Sequence, residues 1–121
     1  MKEKFGVIEL WNVTLVNTTP HPIKIMLGDK VIEIPAATEP LRLREETNFI
    51  GIAGDIPLFS KRFFLEDMLP PEDENGEVLF IVPAIVAQTL GRKRRDLVVP
   101  HDFVRDKNGT IIGCCGLAFI E

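Results

Sequence analysis

Hydrophobic and polar residues alternate along much of this chain, and the period of two predicts strands before anything else. Residues 11–17, Trp-Asn-Val-Thr-Leu-Val-Asn, are β-branched and alternating, a strand with Trp11, Val13 and Leu15 on one face. Ile23 to Leu27 and Lys30 to Ile34 flank Gly28-Asp29, a two-residue link with glycine first, as a type II′ hairpin turn requires. Such a loop pairs Leu27 with Lys30, Met26 with Val31, Ile25 with Ile32, Lys24 with Glu33 and Ile23 with Ile34. One face then collects Ile23, Ile25, Leu27, Ile32 and Ile34, and Lys24 stands opposite Glu33 as a cross-strand ion pair. A one-residue slip would destroy both features. Pro35 closes the second strand, where a missing donor is tolerated.

The pattern weakens from Ala36 to Phe64. Short strands are expected at Leu41 to Arg44 and at Phe49 to Ala53, and Ser60 to Met68 reads as a helical turn or two before Pro70-Pro71. Gly51 and Gly54 form a lone G-x-x-G, which recurs too widely to carry weight. Pro70 to Glu77 is an acidic, solvated loop. Val78 to Val82 is a continuous apolar run, and Pro83 suits a first helical turn. Ala84 to Leu90 are good helix formers stopped by Gly91, so one helix is expected over about 83–91. Leu97 to Val99 reads as a buried strand ending at Pro100; strand, helix and strand then form a parallel crossover unit or an antiparallel return. Phe103 to Arg105 and Thr110 to Phe119 flank Asp106-Lys107-Asn108-Gly109, a turn with either a two-residue or a bulged three-residue loop. The expectation is a single α+β domain over 1–121: a mainly antiparallel or mixed sheet built from hairpins, with the one clear helix on a face.

Composition narrows this picture without changing it. The chain has 121 residues, enough for one hydrophobic core without disulfide or metal staples. Its net charge of −4 gives no general attraction for polyanions and argues against sequence-specific nucleic-acid reading. The apolar runs are too short for a bilayer span, and no signal-peptide core follows Met1-Lys2-Glu3-Lys4, so no membrane partner and a cytoplasmic location are expected. Cys114 and Cys115 are neighbours in a strand-like run and point to opposite faces, which suits reduced thiols. With His21 and His101 they match no familiar zinc spacing, so neither metal nor cofactor is expected. Ser60 is the sole serine and lies in no nucleophile elbow.

Two clusters carry candidate chemistry. Asn17-Thr18-Thr19-Pro20-His21-Pro22 sets an amide, two hydroxyls and an imidazole on a backbone stiffened by two prolines. It reads as a structural turn, its polar side chains bonding nearby main chain, or as a pocket wall in which Asn17, Thr19 and His21 bind a ligand. Arg92-Lys93-Arg94-Arg95 is the one basic run. It reads as cations favoured at a helix C-terminus, or as a grip on an anion in which Arg92, Arg94 and Arg95 beside Asp96 supply the charge. Neither cluster defines a catalytic set.

Asn12-Val13-Thr14-Leu15-Val16-Asn17, Thr19-Pro20-His21-Pro22-Ile23, Ile34-Pro35, Phe80-Ile81-Val82, Arg95-Asp96-Leu97-Val98-Val99-Pro100 and Val104-Arg105-Asp106 through Ile111-Ile112-Gly113-Cys114 arrive in a familiar order. The chain resembles a family of small uncharacterised proteins of phages, prophages and mobile elements. These open with a strand leading into Asn-Leu-Thr-Pro-His and end with an Asp-Leu-Val-x-Pro strand and an Arg-Asp-x-x-Gly hairpin. Two positions depart: Thr18 stands where the family has Leu, and Pro83 where it has Ser, removing a hydroxyl cap from the helix start. No reaction attaches to the family. The resemblance implies an accessory protein acting on host machinery or host defence. The leading expectation is therefore a non-enzymatic, homo-oligomeric binder that sequesters a small anionic ligand or blocks a host protein. The alternatives are a hydrolase of nucleotides or phosphoesters working through His21 with Asp96 or Asp102, and a structural or packaging protein.

Overall fold

The computed structural model describes residues 4–90 and 93–121. Seven strands hydrogen-bond into one sheet: β1 (Gly6–Glu9), β2 (Thr14–Asn17), β3 (Ile23–Leu27), β4 (Lys30–Ile34), β7 (Val78–Ile81), β8 (Leu97–Arg105) and β9 (Ile111–Ala118). Their spatial order is β1-β2-β7-β8-β9-β3-β4. The pairs β1–β2, β8–β9 and β3–β4 are antiparallel, whereas β2–β7, β7–β8 and β3–β9 are parallel. The remaining strands, β5 (Leu43–Ala53) and β6 (Ile56–Leu65), make a two-stranded ribbon of their own. One short helix, α1 (Ala84–Leu90), follows β7. The protein is therefore mostly β with a single small helix.

Alternation sorts the side chains of the sheet into two clusters. Leu15, Ile25, Ile34, Ile81, Val98 and Cys114 are buried together, joined by Ile8, Ile32 and Leu117, so every strand of the sheet contributes to one interior. A flat sheet could not gather seven strands around one cluster; this one is curled and barrel-like. The opposite face of β2, β7 and β8 presents Val16, Phe80, Val82, Leu97 and Val99, which α1 covers with Val86 and Ala87. Backbone donors at Val86 and Ala87 bond the Pro83 carbonyl at 2.9 and 3.2 Å, so a residue that cannot donate begins the helix by accepting. Gly91, the expected helix stop, lies outside the described residues.

The β3–β4 register is as the pattern predicts, pair for pair. Gly28 takes φ +64°, and Ile25 and Ile34 are buried on the predicted face. Leu27, at the open turn, is exposed, and no ion pair joins Lys24 to Glu33 among the described residues, as befits exposed charges in water. The parallel alternative holds for β7 and β8. In the last hairpin Asp106 N bonds Thr110 O at 2.9 Å and Gly109 has φ +82°, the three-residue bulged loop.

Three further expectations are corrected. Trp11 is 97% exposed, because β2 starts only at Thr14 and residues 11 and 12 bend outside it. The strand at Leu97 runs through Pro100 to Arg105: β8 pairs β7 only as far as Val98, and beyond it has a free edge on which a missing donor costs nothing. Ser60 to Leu65 is strand β6, not helix. Its alternation of Ser60, Arg62 and Phe64 against Lys61, Phe63 and Leu65 pairs with β5, and that ladder overrides local propensity.

Candidate functional site

Asn17 ends β2, Thr18 and Thr19 follow it, and all three are buried, Asn17 completely. Asn17 Nδ2 donates to the His21 carbonyl at 2.8 Å and to the Pro35 carbonyl at 3.0 Å. Its Oδ1 accepts from Thr19 N at 3.0 Å and from Thr19 Oγ1 at 2.7 Å. Both amide protons and both acceptor positions are in use. Thr19 Oγ1 also lies 3.1 Å from the His21 carbonyl, so its one proton is shared between two acceptors. Thr18 Oγ1 and Thr18 N both donate to the Ile81 carbonyl, at 2.8 and 3.0 Å. Thus Thr18 fastens β2 to β7. The carbonyls of Thr18 and Thr19 accept from Leu41 N and Ala37 N, at 3.0 and 2.9 Å. The side chains of Asn17, Thr18 and Thr19 are thus all engaged within the protein. This corner is a seam joining β2, β7 and the segment that leaves β4.

His21 contributes its main chain to that seam, while its imidazole is exposed. Replacing His21 with alanine is therefore expected to shift stability by less than about 0.5 kcal/mol, within the range of ordinary surface changes; a melt read by circular dichroism checks it. A larger loss would mean that the ring carries a structural bond.

The basic run divides. Arg94 forms a bidentate pair with Asp96, Nε to Oδ1 at 3.0 Å and Nη2 to Oδ2 at 2.6 Å, and lies over the Phe80 ring at 5.6 Å. Both side chains are largely buried, so each charge is spent on the other. Arg95 is exposed and gives its backbone N–H to Glu72 Oε1 at 2.8 Å. Arg92 lies outside the described residues. The two clusters lie apart: Arg94 and Arg95 line a cavity with Phe119 and Ile120, whereas His21 lines another.

The cavity beside His21, about 630 Å³, runs between β3 and the β8–β9 hairpin. Pro22, Ile23, Pro100, Phe103, Ile111 and Ile112 make it apolar, Lys24 gives it a cationic edge and His21 an imidazole, and no carboxylate lines it. Asp96 is held by Arg94, and Asp102, at φ +62°, faces Cys115. Partial desolvation and then the Asp102 charge push the Cys115 thiol up, away from nucleophilic thiolate. Cys114 is buried on the other face, as strand geometry requires. Among the described residues no His, Cys, Asp or Glu cluster could hold a metal ion, and no helix is long and apolar enough to cross a membrane.

The feature that sequence reasoning missed is the β5–β6 ribbon. Its root is fixed: Leu43 and Leu65 join the helix-side cluster, and Arg42 grips Asp67 through its backbone N at 2.9 Å and Nη2 at 3.0 Å. That grip holds the Asp67 carboxyl below the usual range. Farther out nearly every side chain is exposed. Phe49 stands opposite Phe59, their rings edge-on at 5.8 Å, and beyond them come Ile50, Ile52, Ile56 and Leu58. Ile52 and Ile56 are each 66% exposed, Phe49 59% and Phe59 53%. Gly54-Asp55 turns the ribbon with Gly54 at φ +62°, repeating the glycine-first turn at Gly28-Asp29. That repeated pair was the available signal.

Compared with protein-family models, curated proteins and solved structures, the chain finds no match. The reading of its function therefore rests on these side chains.

Proposed function

We propose that the protein is a non-enzymatic binding protein whose contact surface is the apolar tip of the β5–β6 ribbon. The observation that carries this reading is the exposure of six large apolar side chains on both faces of a well-rooted hairpin. At roughly 200 Å² per large side chain, and at their observed exposures, they offer on the order of 700 Å². Divided between the two faces, that is about 350 Å² a side, the size of the largest and often functional apolar patch of a monomer; a partner that wraps the tip and covers both faces would bury close to the ~800 Å² that each side contributes to a stable interface. Solvating such a patch is costly, and covering it on association removes the cost.

The resemblance to phage and mobile-element proteins supplies the setting we propose: an accessory protein that blocks a host factor or takes part in an assembly. Sequestering a small anion is less well supported, because the charge of Arg94 is neutralised by Asp96. Hydrolysis through His21 lacks a carboxylate lining the same cavity. A packaging role would use the same tip and differ only in partner.

A photo-crosslinking amino acid tests the reading. Benzoylphenylalanine placed at Phe59 in the full chain, irradiated in cells, is expected to yield at least one discrete heavier species. The same residue at Trp11, an exposed aromatic outside the ribbon, is expected to yield none. No adduct at Phe59, or equal adducts at both positions, contradicts it.

A further inference from the structure

We propose that the occupant of the ribbon tip is a second copy of this chain, whose groove between β3 and the β8–β9 hairpin receives it. This rests on the tip being a contact surface and names what it contacts. Two of the apolar surfaces left uncovered among the described residues differ in shape. One is the convex tip, with Phe49, Ile52, Ile56 and Phe59; the other is the concave groove, where Phe103, Ile111 and Ile112 are each more than two-fifths exposed.

Their charges complement each other. At the tip turn Asp55 is exposed and has no ion-pair partner among the described residues. At the groove the charged lining group is Lys24, which forms no ion pair with Glu33 across the hairpin. An apolar insertion capped by Asp55 against Lys24 satisfies both surfaces, and opposite charges at such a rim fix orientation. The area suffices when the groove takes the tip in and covers both of its faces, together on the order of 700 Å² and close to one partner's share of a standard interface. Each copy carries both halves, so mutual insertion closes a two-fold dimer, and one-way insertion propagates a chain of copies.

Sedimentation velocity of the full chain, from low micromolar to near-millimolar concentration, tests the contact. The native protein is expected to self-associate, and Ile56→Asp at the tip and Ile112→Asp in the groove are each expected to leave monomers. Asp55→Lys alone and Lys24→Glu alone are each expected to weaken association about tenfold, and the two together to restore most of it. Circular dichroism melts confirm that each variant is folded. A native protein that stays monomeric throughout overturns the proposal. So does an association lost with Ile56→Asp but indifferent to Ile112→Asp and to the charge exchange, since the ribbon would then bind something other than the groove. Either result leaves the tip as a contact surface if Phe59 crosslinks in cells to another protein, whereas absence of any adduct defeats the broader reading too.

Discussion

Gly6→Ala is expected to leave little folded protein. Gly6 lies in β1 opposite Asn17, and a methyl group built on it would sit 1.6 Å from the Pro35 carbonyl oxygen and 2.4 Å from its carbon. Those atoms are backbone, and they are tethered: the same Pro35 oxygen accepts the Asn17 amide at 3.0 Å, and two residues on Ala37 N bonds the Thr19 carbonyl at 2.9 Å. The neighbour cannot turn aside as a long side chain would. Either β1 leaves β2 or the Pro35 carbonyl abandons Asn17. Overpacking in a well-filled interior commonly costs about 1–3 kcal/mol. With a lost buried hydrogen bond added, a loss of at least about 3 kcal/mol is expected. For a domain of this size that lowers the melting temperature by on the order of 10 °C or more. A melt within about 3 °C of the native protein would show that β1 and the segment after β4 are not held together as described.

Asn17→Ala should be comparably damaging for the opposite reason, a deficit rather than an excess of atoms. It removes four hydrogen bonds and leaves the buried Thr19 N–H and the part-buried Pro35 and His21 carbonyls with no partner from that side chain. Each stranded group costs about 1–3 kcal/mol, and partial re-pairing reduces the sum, so a loss of about 3–5 kcal/mol is expected. Asn17→Asp separates hydrogen bonding from shape. It keeps the acceptor toward Thr19 but turns the donor into an oxygen facing two carbonyls, so near neutral pH it should be no better tolerated than alanine. Chemical denaturation of the three proteins checks the order. An Asn17→Ala protein that melts like the native one would return the corner to the ligand-binding reading.

The β3–β4 hairpin was legible in full because turn chemistry and alternation specify the same register, from Leu27 opposite Lys30 to Ile23 opposite Ile34. The ribbon was not, although Gly54-Asp55 repeats the same turn. Both of its faces carry apolar residues near the tip and charged ones below, so alternation is blurred where Ile50 adds a bulge. A surface shaped for a partner departs from the rule that one face is wet and the other dry, and the rule fails there first. The corner of Asn17 to His21 was recognised as polar and stiff, but sequence cannot tell whether an amide faces a ligand or a carbonyl 18 residues away. Likewise Arg94 and Asp96 were visible as charges; their mutual neutralisation depends on where β8 begins.

We propose a division of labour, in which the polar corner holds the fold and the ribbon tip makes the contact. Its most direct measurement is a thermal melt of Ile52→Asp/Ile56→Asp taken beside crosslinking from Phe59 in the same variant. Because both isoleucines are two-thirds exposed, the melting temperature should stay within about 3 °C of the native protein, while the Phe59 adduct disappears. A variant that melts far below the native protein, or one that keeps its adduct undiminished, would contradict that division.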